Sequence, residues 1–102
     1  MNYQLIIQFE AESLDDFDHL VALEEKIASL VGDSADVDGH DFDSGTGNIF
    51  INTQEPKNTF QELKPFFEKS ERLDSIRVGY RHENEDVYTL IWPEESHGVF
   101  KL

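Results

Sequence analysis

The sequence predicts an α+β domain: a split β-α-β two-layer sandwich with both helices on one face of an antiparallel sheet. Three observations predict it. Short segments alternating apolar and polar side chains lie at both ends and in the middle of the chain. Two segments with apolar residues at helical spacing separate them. No repeat, long linker or low-complexity stretch divides the 102 residues, so residues 1–102 are expected to form one domain.

Tyr3, Leu5, Ile7 and Phe9 alternate with Gln4, Ile6 and Gln8, which predicts a first strand with one strongly apolar face. Ser13 reads as a helix N-cap, with Asp16 three positions on in place of the usual Glu. Asp15 and Asp16 also suit the positive end of a helix. Leu14, Phe17, Leu20, Val21, Leu23, Ile27, Leu30 and Val31 recur at helical spacing, predicting a helix of about 17 residues. Gly32 is placed to end it. In the segment 33–47, Val37 and Phe42 are the apolar points, and their separation is odd. Strict alternation cannot bury both; a bulge at Gly39-His40 restores the phase. A turn at Ser44-Gly45-Thr46-Gly47 and a strand from Asn48 to Thr53 complete a hairpin, with Ile49 and Ile51 on the core face and Phe50 on the other.

Pro56 suits the first position of a second helix. Phe60, Leu63, Phe66 and Phe67 supply its apolar spacing, and Pro65 predicts a bend or restart. Ile76, Val78 and Tyr80 mark a fourth strand, alternating with Arg77, Gly79 and Arg81. His82 to Asp86 forms a polar turn, and Val87 to Trp92 a fifth strand stopped by Pro93. The segment 94–102 reads as a loose tail, with Val99, Phe100 and Leu102 as its docking residues. The order is βαββαβ plus an extra C-terminal strand, a ferredoxin-like arrangement with right-handed crossovers.

Charge bounds the partners. Twenty-two acidic and eight basic side chains give a formal net charge of -14. That field repels nucleic-acid phosphates and anionic membrane surfaces, and it attracts a basic protein surface. Neither nucleic acid nor membrane is therefore an expected partner. A hydrophobic content of 38%, including eight Phe, is too apolar for a disordered acidic tail. The absence of Cys removes disulfides and thiol chemistry. No basic region precedes the short apolar run Leu5-Ile6-Ile7, and a cytoplasmic bacterial protein is the expectation.

Two helices cover only one sheet face. If Val87, Thr89 and Ile91 point toward the helices, then Tyr88, Leu90 and Trp92 join Ile6 and Phe50 on the open face. That apolar patch among polar neighbours suits a protein-binding or dimer surface. The alternative is that the C-terminal segment folds over it.

The densest chemistry is Asp36-Val37-Asp38-Gly39-His40-Asp41-Phe42-Asp43. Carboxylates suit calcium or magnesium, and the twelve-residue calcium loop is the obvious template. With Gly39 at its sixth position, Ser34 falls where the first Asp belongs and Gly45 where the last, bidentate Glu belongs. The motif fails at both ends. A bulge also makes it hard to gather these carboxylates on one ion, so they read as solvated edge-strand residues that block aggregation. His40 sits in the most suggestive setting of the histidines, yet no nucleophile or oxyanion site accompanies it. No catalytic residue, metal ligand or cofactor is assigned.

The stretch Val37-Asp38-Gly39-His40-Asp41, then Ser44-Gly45, Asn48-Ile49-Phe50-Ile51, Pro56 and Thr59-Phe60, resembles a family of small bacterial proteins that has no established activity. The likeness extends to Val78–Arg81 and Trp92-Pro93. It implies a shared compact fold and no substrate. Size and acidity, without a matched motif, also suit immunity proteins that neutralise bacterial toxins.

The functional expectation is an acidic protein-binding module, of inhibitor or immunity type, for a basic partner. Its expected contact residues are Ile6, Phe50, Tyr88 and Trp92 on the open face, and Asp38, His40, Asp41 and Asp43 on the hairpin. The alternatives are an assembly subunit that forms a homodimer through the open sheet face, and a metal-dependent enzyme centred on Asp38, His40 and Asp41.

Overall fold

A computed structural model of the chain describes residues 2–10, 17–43, 46–69 and 75–93. The strands are β1 (Tyr3–Glu10), β2 (Ala35–Asp43), β3 (Thr46–Thr53), β4 (Ile76–His82) and β5 (Thr89–Trp92). The helices are α1 (Phe17–Val31) and α2 (Pro56–Lys69). The sheet order is β2-β3-β1-β4-β5, and each neighbouring pair is antiparallel. This is the ferredoxin-like α+β sandwich, extended at one edge by β5. The Ser13 cap, residues 44–45 of the expected turn and the tail 94–102 lie outside the described residues; Thr46 and Gly47, expected in that turn, are instead the first two residues of β3.

Cross-strand partners share a sheet face. Leu5 faces Ile51 and Tyr80, Ile7 faces Ile49 and Val78, and Phe9 faces Gly47 and Ile76. This apolar set meets Leu23, Ile27 and Val31 of α1 and Phe60, Leu63 and Phe67 of α2 in one core. The Phe9 and Phe67 rings lie 6.1 Å apart in a tilted contact. Each such fully buried side chain contributes about 1.5–3 kcal/mol relative to exposure.

Local chemistry fixes the helix ends. Gly32 takes φ 55° after α1, a conformation that costs glycine little. The Ser34 hydroxyl donates to the Val31 carbonyl at 2.7 Å, satisfying a group the helix leaves open. At the start of α2, Thr53 Oγ1 accepts from the Glu55 N–H at 3.1 Å and shares a 2.8 Å hydrogen bond with Thr59 Oγ1. Both threonines are buried, so this pair joins β3 to the first turn of α2. Pro56 opens that helix, where its missing N–H removes no bond.

Two expectations require adjustment. α2 runs unbroken past Pro65, which sits on its exposed side, instead of restarting there. Its core residues Phe60, Leu63 and Phe67 hold one stripe across the proline. β5 begins at Thr89 instead of Val87, and Val87 is 74% exposed. Among the described residues, no helix is long and apolar enough to cross a membrane.

Candidate functional site: an acidic sheet edge

The edge strand β2 carries a bulge that sorts its side chains. Val37 pairs with Ile51 and Gly39 pairs with Phe50, leaving Asp38 as the extra residue. Gly39 adopts φ 145°, which L side chains rarely take. The irregularity falls one residue before the expected Gly39-His40 position. Its consequence for phase is the expected one: Val37, His40 and Phe42 all hold register positions on the helix side, opposite Ile51, Ile49 and Gly47.

The same shift has a second effect, contrary to the expectation that a bulge would spread these carboxylates over both faces. Asp36, Asp41 and Asp43 pair with Asn52, Asn48 and Thr46, on the face turned from the helices. Alternation from Val37 gives Asp38 that face too. The bulge therefore aligns carboxylates that simple alternation would divide. Asp36, Asp38 and Asp41 are exposed, and among the described residues no ion pair neutralises them. The basic residues of this face, Arg77 and Arg81, stand on β4, with β3 and β1 between them and the aspartates. The outer edge of the sheet is thus a solvated anionic column. Asp36 belongs to it and was missing from the expected contact set; the odd spacing of Val37 and Phe42 was the signal that could have found it.

His40 does not belong to that column. Its Nδ1 lies 2.8 Å from Glu24 Oε2 of α1, with both side chains part-buried. The contact ties β2 to α1 on the helix side, and Glu24 is a partner no local motif announces. Among the described residues, no three His, Asp or Glu side chains gather as a metal-binding group.

The aromatic half of the expected surface is rearranged. β5 has its own irregularity: Val78 pairs with Trp92 but Gly79 pairs with Leu90, so Ile91 is the extra residue. Trp92 therefore faces the helices instead of joining the open face. Its ring centre is 5.9 Å from that of Phe60, and Lys64 Nζ lies 4.8 Å from its centroid. Ile6 does lie on the face away from the helices, between Phe50 and Gly79, but it is 0% exposed. Phe50 and Tyr88 are half-buried. Tyr88 stacks near Arg81, whose guanidinium is 5.9 Å from the ring centre. Arg81 is itself held, donating to Gln4 Oε1 at 3.2 Å and to the carbonyls of Glu83 and Glu85 at 3.3 and 2.8 Å. It acts as the pin of the β4–β5 loop.

What this geometry offers chemically is a row of exposed carboxylates along an edge, and among the described residues no nucleophile and base are assembled beside it. No family model, curated protein or solved structure matches the chain.

Proposed function

We propose that the chain is an acidic protein-binding module that docks a basic protein surface along the outer edge of β2, in the manner of an inhibitor or immunity protein of the bacterial cytoplasm. The observation that carries this reading is the exposed column Asp36, Asp38 and Asp41, aligned by one bulge on a chain of net charge -14. A field of one sign accelerates encounter with an oppositely charged partner, and closely spaced carboxylates give Lys or Arg side chains several acceptors at once. His40 contributes indirectly, by fixing β2 against α1 through Glu24. Assembly as a homodimer through the open sheet face draws less support, because Ile6 is sealed and Trp92 faces α2.

Affinity capture tests the reading, with immobilised wild-type chain beside an Asp36→Asn, Asp38→Asn, Asp41→Asn variant at low and moderate salt. A basic protein held by the wild type and released by the variant is the expected result. Recovery of no partner at either salt, or equal retention by both chains, overturns it.

A further inference from the structure

Residues of both helices that are not spent on the core line one groove. β1 is antiparallel to β3, and each helix returns the chain from one of these strands, so α1 and α2 run antiparallel to each other. On α1, Lys26 and Leu30 stand one turn apart. On α2, Glu62, Pro65, Phe66 and Lys69 follow the spacing of one helix face. With Glu68 they enclose about 640 Å³. The apolar part of this groove is wet: Leu30 is 38% exposed, Pro65 is exposed and Phe66 is half-buried. Among the described residues, Val87 alone joins Leu30 as a large apolar side chain left exposed, and it lies outside both helices.

Charge on this face differs from charge on the molecule. The chain carries -14, whereas the groove carries two lysines and two glutamates. Lys26 and Lys69 form no ion pair among the described residues. The signs are also spread along the groove. Ser34 Oγ, just past the C-terminal end of α1, lies 3.2 Å from Glu62 Oε2, so Glu62 marks that end. Lys69 stands about 10 Å further along α2. Because α1 runs the opposite way, Lys26 lies on the Lys69 side of Leu30.

We propose that this groove is the interface of a homodimer, with two copies packed helix layer to helix layer about a two-fold axis. The occupant follows from the charges. A two-fold axis through the groove reverses its ends, so the lysine end of one copy meets the Glu62 end of the other. Leu30, Pro65 and Phe66 then supply an apolar centre inside a polar rim. A strongly basic or strongly acidic partner instead meets a like charge at one end, which costs affinity. Net charge opposes self-association, and a face with balanced signs opposes it least. The dimer leaves both β2 edges open, because Asp36, Asp38 and Asp41 stand on the face turned from the helices. The inference therefore goes beyond the acidic edge and does not depend on it.

Sedimentation equilibrium of the full chain at moderate salt tests it. The wild type is expected to dimerise as concentration rises. Two charge variants locate the interface. Lys26→Glu with Lys69→Glu makes the groove wholly acidic, and Glu62→Lys with Glu68→Lys makes it wholly basic. All four positions are exposed, so circular dichroism should show both variants folded. Each alone should dimerise about a hundredfold more weakly than the wild type, and their equimolar mixture should recover tight association as a heterodimer. Net charge by itself gives a different order, with the less acidic variant associating best with itself. Leu30→Gln leaves the charge unchanged and should weaken dimerisation by about tenfold or more. A wild type that stays monomeric at millimolar concentration overturns the proposal. So does wild-type association by either charge variant alone, or a mixture that associates no more tightly than its components. None of these substitutions alters Asp36, Asp38 or Asp41, so failure here is distinguishable from failure of the acidic edge.

Discussion

Removing the extra residue of β2 should reverse the effect of filling in Gly39. In the native bulge Gly39 holds φ 145°, and a Cβ built there meets no atom within 4 Å. The penalty for Gly39→Ala is therefore backbone strain without a clash, about 1–3 kcal/mol. At about 4–8 °C per kcal/mol for a domain of this size, the melting temperature should fall by about 4–24 °C. Deleting Asp38 joins Val37, opposite Ile51, directly to Gly39, opposite Phe50, and yields an uninterrupted ladder with His40 still opposite Ile49. Position 39 then becomes ordinary extended strand, where Ala is better than Gly by about 0.5–1 kcal/mol. In the Asp38-deleted chain, Gly39→Ala should raise the melting temperature by about 2–8 °C. Circular dichroism melts of the four chains in this cycle measure both signs. The same destabilisation in both backgrounds would refute the reasoning, as would failure of the Asp38 deletion to fold.

Three further outcomes follow from the packing. Thr59→Val should cost about 1 kcal/mol, and Thr53→Val about 2, because it also strips the acceptor from the Glu55 N–H; the double variant should cost little more than Thr53→Val alone, as urea unfolding would show. Trp92→Ala should destabilise by about 2–3 kcal/mol, less than for a fully buried ring. Lys64→Met removes only the cation and should cost about 0.5–1 kcal/mol, and equal effects for the two would contradict the placement of Trp92 on the helix side. Pro65→Ala returns a missing N–H to an unbroken helix and should stabilise by about 1–2 kcal/mol in the same assay; a loss of stability would show that the proline is needed where it stands.

The architecture was legible because its signals are local and repeated. Alternation in β1 and β4, and the spacing of Leu23, Ile27, Phe60, Leu63 and Phe67, each require one answer whichever neighbour they meet. Registers of edge strands are another matter. The bulge in β2 was readable because Val37 and Phe42 are isolated apolar points with an odd separation. In β5, Thr89, Leu90, Ile91 and Trp92 offer acceptable apolar groups to either face, so alternation alone could not choose. The choice is made by the contacts of Trp92 with Phe60 and Lys64, which only the folded chain creates. The Glu24–His40 contact was hidden for a similar reason: the two lie sixteen positions apart on different elements, and no motif links them. Continuity of α2 through Pro65 reflects tertiary packing of one apolar stripe prevailing over a local breaker.

The orientation of Trp92 decides what light can report about this molecule. As the single tryptophan it dominates the intrinsic fluorescence, and it is seated over α2. Its emission therefore follows the closure of β5 against the helix layer. The aspartates stand on the far edge of the sheet, beyond β3, β1 and β4. A partner seated on those aspartates should leave the emission spectrum nearly unchanged while global unfolding alters it strongly. The fluorophore is thus a reporter of integrity, and association at the acidic edge calls for a label placed there.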